Sequence, residues 1–101
     1  MTSGPGATHT DSDVTIRYWA SARAAAGCDS ERFTARHVGE VLEAAAAAHT
    51  GLGAVLEVSS ILLDGRPVAR AGTLPESLPE SLPEPLYEGA VLEVLPPFAG
   101  G

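Results

Sequence analysis

Apolar and polar positions begin to alternate at Val14. Val14, Ile16 and Tyr18 fall on one side and Thr15, Arg17 and Trp19 on the other, in a run of β-branched and aromatic residues that predicts a first strand over Val14–Trp19. Ala20 to Ala26 then supplies helix formers for a turn or two, and Gly27 stops them as a left-handed C-terminal residue. Glu31–Thr34 predicts a short second strand, antiparallel to the first, with Thr34 available to cap the next element. There the period changes. Val38, Val41, Leu42, Ala45 and Ala48 recur at i, i+3, i+4, i+7 and i+10, while Arg36, Glu40, Glu43 and Ala47 lie opposite. This predicts the main helix, ending near Gly51, and its small Ala44–Ala48 run suits close packing on a sheet.

Gly51 to Glu57 reads as a connection, and Val58–Leu63 as a third strand. Asp64-Gly65 is a hairpin signal, from which Arg66-Pro67-Val68 returns as a short edge strand because Pro67 lacks a ladder donor. Between Leu74 and Leu86 the chain repeats a Leu-Pro-Glu-Ser tetrad. Its leucines recur every fourth residue, but the prolines remove helix donors in every turn, so the segment reads as an extended, Pro-rich surface loop with polyproline II character. Lengthening a loop in this way costs little. Glu88-Gly89 then turns the chain into a last strand, Val91–Leu95, with Leu92 and Val94 on one face and Glu93 on the other.

The predicted order β-β-α-β-β-β is an α+β arrangement and matches the ubiquitin-like β-grasp, a mixed sheet carrying one main helix. Its first and last strands would be central and parallel, joined by a crossover that contains the helix. The polar, Gly/Ser/Thr-rich residues 1–13 read as a disordered lead-in, residues 14–95 as the β-grasp domain with 74–86 as its loop insertion, and residues 96–101 as a protruding C-terminal tail.

Composition narrows the function classes. The 101 residues allow one domain, and a 45% hydrophobic content with mean hydropathy +0.11 suffices for a single modest core. Net charge is −7, all six basic residues are Arg, and none lies beyond Arg70. Glu76, Glu80, Glu84, Glu88 and Glu93 therefore make the last third acidic, which repels nucleic acid and favours basic partner surfaces. No basic stretch followed by an apolar core marks a secretory signal, and no apolar window is long enough for a membrane span, so the cytoplasm is the expected compartment. Cys28, the single cysteine, allows neither an internal disulfide nor a multi-cysteine zinc site, and no His or Asp stands at a telling spacing from it. His9, His37 and His49 show no ligand spacing, so no metal is expected; His49 reads as a helix-end residue compatible with the dipole.

The ending carries the chemistry. Pro96 and Pro97 cannot donate to a ladder, so the sheet stops and the chain leaves as Pro96-Pro97-Phe98-Ala99-Gly100-Gly101. Gly100 and Gly101, without Cβ, can enter a slot too narrow for other residues. The group they would present is the Gly101 carboxylate, inert by itself but open to amine or sulfur nucleophiles once a partner has adenylated it.

Val14-Thr15-Ile16-Arg17-Tyr18-Trp19-Ala20 followed by Arg23 and Gly27, together with the Glu88-Gly89 turn, the last strand and the Pro-Pro-Phe-Ala-Gly-Gly ending, resembles the MoaD/ThiS family of sulfur carriers. The ending is most like the small subunit of molybdopterin synthase. Ala24 stands where that family commonly has Glu, Trp19 where Phe is usual, and Glu88 where Asp usually precedes the turn glycine. The resemblance implies that an E1-like adenylyltransferase uses ATP to activate Gly101 and that a sulfurtransferase persulfide converts it to a thiocarboxylate. The loaded tail would enter the large subunit, in a heterotetramer, and donate sulfur to the pterin precursor of the molybdenum cofactor. Phe98 would anchor in a partner pocket, and Pro96 and Pro97 would limit the entropy lost on insertion. Catalytic groups would then reside in the partners, with no cofactor bound permanently here. Carriers for thiamine, cysteine or tungsten-cofactor synthesis share this chemistry, and a ubiquitin-like protein modifier or binding module is the alternative of another class.

Overall fold

The computed structural model describes residues 11–72 and 82–97. Its strands are β1 (Ser12–Tyr18), β2 (Ser30–Ala35), β3 (Ser60–Leu63), β4 (Arg66–Ala69) and β5 (Val91–Leu95), and its helices are α1 (Ala20–Ala26), α2 (Val38–Ala48) and α3 (Leu52–Glu57). The strands form one sheet in the order β2-β1-β5-β3-β4, with β1 and β5 parallel and every other neighbouring pair antiparallel. This is the β-grasp arrangement expected from the sequence, with the first and last strands central.

Alternation decides the core. Val14, Ile16 and Tyr18 of β1, Ile61 and Leu63 of β3, and Leu92 and Val94 of β5 are all buried, as are Val38, Val41, Leu42 and Ala45 along α2. Sheet and helix thus meet along one apolar layer, the arrangement that removes most hydrocarbon from water. At the β3–β4 hairpin, Asp64 and Gly65 both take positive φ (49° and 84°), the twist that a two-residue connection requires and that Asp and Gly tolerate.

Several local features differ from the sequence reading. The first strand begins at Ser12, so Ser12 and Asp13, read as part of a disordered lead-in, pair with Ala35 and Thr34 of β2. Trp19 leaves the first strand and serves as N-cap of α1, its backbone still extended at φ −121° and ψ 151°. Thr34 does not cap α2, because it is paired with Asp13 in the β1–β2 ladder; the cap is His37, which forms a capping box with Glu40. Gly51–Glu57 is a third helix rather than a plain connection: Gly51 at φ 92° starts α3, and Leu52 and Leu56, four apart, are buried. The third strand begins at Ser60 instead of Val58, since Val58 ends α3 and the Ser59 hydroxyl donates to the Val55 carbonyl at 2.7 Å.

Residues 73–81 lie outside the described residues, but the end of the Pro-rich segment does more than cross the surface. Leu82 is buried, and the carbonyls of Leu82 and Glu84 accept the Gly39 and Val38 N–H groups at 3.0 Å each. Leu86 donates its own N–H to Arg36 O at 2.8 Å, and Pro85 bridges to His37. The first turn of a helix leaves donors without intrahelical partners, and this extended segment supplies acceptors for two of them.

Candidate functional site

The site expected from the sequence is the tail, and β5 is the strand that leads to it. That strand is flanked on both sides: Thr15 to Tyr18 of β1 run beside Val91 to Val94, and Ser60 to Leu63 of β3 pair antiparallel with Leu95 to Leu92. Its entrance is fixed by several independent bonds. Thr15 N–H donates to Ala90 O at 3.0 Å, Gly89 N–H to Asp13 O at 2.9 Å, and Asp13 N–H to the Glu88 carboxylate at 3.2 Å. A strand held this way cannot slip by one residue without turning Leu92 and Val94 out of the core. The direction in which Pro96 and Pro97 leave the sheet is therefore set by the interior of the protein.

Phe98, Ala99, Gly100 and Gly101 lie outside the described residues. Pro96 is half-buried and Pro97 exposed. Beside the exit point is an apolar cavity of about 330 Å³ lined by Trp19, Ala20, Leu95 and Pro96. Trp19 forms one wall. Its N–H donates to Val94 O at 3.3 Å, its side chain is 40% exposed, and the Arg17 guanidinium lies over the ring, 5.0 Å from the centroid. Ala20 follows at φ 50°, a left-handed conformation that costs a residue with Cβ roughly 1–2 kcal/mol. The indole stays partly at the surface, and with Leu95 and Pro96 it makes an apolar area at the end of β5. Nothing in the strand pattern shows this, because the alternation places Trp19 on the solvent side of a continuous strand.

A second grouping forms on the helical side, from residues the sequence spacing did not connect. Tyr18 O–H donates to Glu31 Oε2 at 3.1 Å, and His49 Nε2 contacts the same carboxylate oxygen. The Cys28 sulfur joins them: Cys28, Glu31 and His49 have ligand atoms all within 4.8 Å of one another, on three half-buried side chains. Burial, reinforced by the Glu31 carboxylate, raises the Tyr18 pKa, and desolvation together with Glu31 raises that of Cys28. Glu31 lies 18 positions before His49, so no local pattern could have paired them.

No model of a known protein family matches the sequence, and no curated protein matches it significantly. Solved structures do match. The chain has a TM-score of 0.71 to the solution structure of small archaeal modifier protein 1 from Methanosarcina acetivorans, at 21% identity over 90% of this chain and 98% of that one. For a putative molybdopterin converting factor subunit 1 from Pyrococcus furiosus the values are 0.62 and 24%, over 85% and 98% of the two chains. For a complex of subunits 1 and 2 of molybdopterin-converting factor from Helicobacter pylori they are 0.57 and 24%, over 88% and 99%. The chain therefore has the ubiquitin-like β-grasp fold seen in both kinds of protein. Among the described residues, no helix is long and apolar enough to cross a membrane.

Proposed function

We propose that this chain is a sulfur carrier that works through its terminal carboxylate. The observation carrying the reading is the placement of β5, a buried central strand that runs parallel to β1 and delivers Pro96 and Pro97 beside an apolar cavity at the sheet's end. An E1-like enzyme transfers AMP from ATP to the Gly101 carboxylate, releasing pyrophosphate. The terminal sulfur of a sulfurtransferase persulfide attacks the acyl-AMP and expels AMP, forming an acyl disulfide. A second thiol cleaves the S–S bond, leaving a thiocarboxylate on Gly101 and a disulfide on the donor. The charged tail then enters the large subunit of molybdopterin synthase, where its sulfur goes to the pterin precursor.

The division of labour is physically reasonable. A thiocarboxylate needs delivery and shielding from water more than it needs side-chain catalysis, and both can be supplied by partner clefts. Prolines at 96 and 97 shorten the list of tail conformations lost on insertion, and the chain's charge of −7 favours encounter with basic surfaces. Trp19 and the cavity beside Pro96 form the apolar part of the docking face, and Phe98 is the anchor within the tail.

A second reading draws support from the likeness to small archaeal modifier proteins. In a protein modifier the same adenylate passes to a lysine amine and forms an amide. Both readings require Gly101; they differ in the nucleophile. Removing Gly101 from the chain in a reconstituted mixture of activating enzyme, sulfur donor and large subunit tests the carrier. Sulfur transfer to the pterin precursor is expected to stop, and transfer at the normal rate by the shortened chain overturns the proposal.

A further inference from the structure

We infer that Cys28, Glu31 and His49 form a binding site for one thiophilic divalent cation of the zinc class, with Tyr18 positioning the carboxylate ligand. Three separate elements bring the ligands together. Cys28 lies in the loop between α1 and β2, Glu31 on β2, and His49 is the C-cap of α2, where its N–H still donates to Ala45 O at 3.2 Å. The loop is further tied by Arg23, whose guanidinium reaches Asp29 at 3.5 Å. The ligand positions are thus set by backbone rather than by long free side chains.

The donor set is what such an ion selects. One sulfur, one imidazole nitrogen and one carboxylate oxygen match zinc's mixed preference and exclude magnesium or calcium, which take oxygen ligands. Distances agree. Ligand atoms on a tetrahedral zinc stand roughly 3.3–3.8 Å apart, given bonds of about 2.0–2.3 Å. Here all three lie within 4.8 Å of one another, so modest side-chain rotation closes the site.

The surroundings fit as well. On β2 the side chains of Glu31, Phe33 and Ala35 share the covered face of the strand, so a carboxylate occupies a place where an apolar residue would pack more simply. Tyr18, 2% exposed, donates its O–H to that carboxylate at 3.1 Å, the kind of outer bond that orients a ligating group. The terminal carbonyls of α2 add negative potential beside His49. On binding, the thiol proton of Cys28 leaves for solvent, the thiolate, imidazole and Glu31 carboxylate each give an electron pair, and the half-buried site leaves a fourth position for water. The ion would pin the α1–β2 loop to the end of α2, at the end of the sheet where Tyr18 pairs with Val94.

The test uses the full chain with an unmodified terminus, titrated with Co²⁺ and followed by absorbance, with Zn²⁺ in competition. One equivalent of Co²⁺ is expected to bind with a thiolate-to-cobalt charge-transfer band and to be displaced by Zn²⁺. Cys28→Ser, a conservative change at a loop position, is expected to abolish the band, and Glu31→Gln and His49→Gln to weaken binding more than about tenfold. Tyr18→Phe keeps the ring but not the hydrogen bond and is expected to weaken it by about 10- to 100-fold. His9→Gln is expected to change nothing, and saturating Zn²⁺ to raise the melting temperature of the parent chain but not of Cys28→Ser. Absence of a thiolate band in the parent chain, or equal affinity in Cys28→Ser with its fold intact by circular dichroism, overturns the inference; Tyr18, Glu31 and His49 then form a hydrogen-bonded patch and nothing more.

Discussion

Asp64 and Val91 hold each other by two bonds: Asp64 donates its N–H to Val91 O at 2.8 Å, and its carboxylate accepts the Val91 N–H at 3.0 Å. The pair joins the tip of the β3–β4 hairpin to the first residue of β5, the strand that ends beside Pro96. Asp64 also sits at φ 49°, where Ala is disfavoured and Asn is tolerated. Asp64→Ala is expected to lower unfolding stability by about 1–2 kcal/mol, combining a lost hydrogen bond with left-handed strain, and Asp64→Asn by less than half of that. Urea titrations of both variants check this; equal losses would show that the backbone conformation carries none of the effect.

Acid should weaken two places in the fold, the β3–β4 hairpin and the start of α2. The Tyr87 hydroxyl and then the Val91 N–H hold the Asp64 carboxyl below its ordinary pKa, and the Arg36 N–H does so for Glu40, helped by His37. Both folded-state values are depressed, so each group's contribution is complete above the ordinary carboxylate range and is lost as pH falls through the lowered folded value. Melting temperature is expected to fall over that interval, and Glu40→Gln to fall less steeply than the parent. Asp64 is exposed and Glu40 half-buried, and screening by solvent keeps the effect small. Parallel pH profiles for the parent and Glu40→Gln would contradict the assignment of the capping box.

Leu82 tests whether the Pro-rich segment is structural. Its side chain is 6% exposed and its carbonyl accepts the Gly39 N–H at the start of α2. Leu82→Ala is expected to cost about 2–3 kcal/mol by denaturant titration, in the range for a buried leucine. A change within about 0.5 kcal/mol, ordinary for a surface loop, would mean that the repeat is only draped over the helix.

Trp19 is expected to separate binding from folding. Its ring is partly exposed and lines the cavity beside Pro96, so Trp19→Ala should leave stability within about 1 kcal/mol of the parent. On the proposed function it also removes an aromatic anchor from the docking face, and affinity for the activating enzyme should drop at least about tenfold. Urea titration measures the first part and calorimetric titration the second; unchanged affinity would move the docking face elsewhere.

Most of the sheet was legible because its signals are local. The alternation at Val14, Ile16 and Tyr18, the Asp64-Gly65 turn and the 3.6-residue stripe through Val38, Val41, Leu42 and Ala45 each specify one conformation, and the fold uses all of them. The boundaries missed were those settled by tertiary partners. Thr34 is a better isolated cap than His37, but its backbone is already committed to Asp13, and Glu40 then completes the box with His37. Leu52, Val55 and Leu56 did carry a helical spacing, hidden by the glycines around it. Of the candidate site, the strand and its proline stop could be read directly. The cavity could not, because it joins Trp19 and Ala20 to Leu95 and Pro96 through the pairing of β1 with β5, and the Cys28–Glu31–His49 cluster could not, because His49 reaches the other two only by the packing of α2 on the sheet.

The central claim is that the free end of this chain is the reacting group, and intact mass measures it most directly. After incubation with ATP, the host's activating enzyme and its persulfide donor, the chain is expected to gain about 16 Da, the replacement of one terminal carboxylate oxygen by sulfur, and a version with one residue appended after Gly101 to gain nothing. An unchanged mass in the complete reaction, or the same gain in the extended chain, would contradict the account.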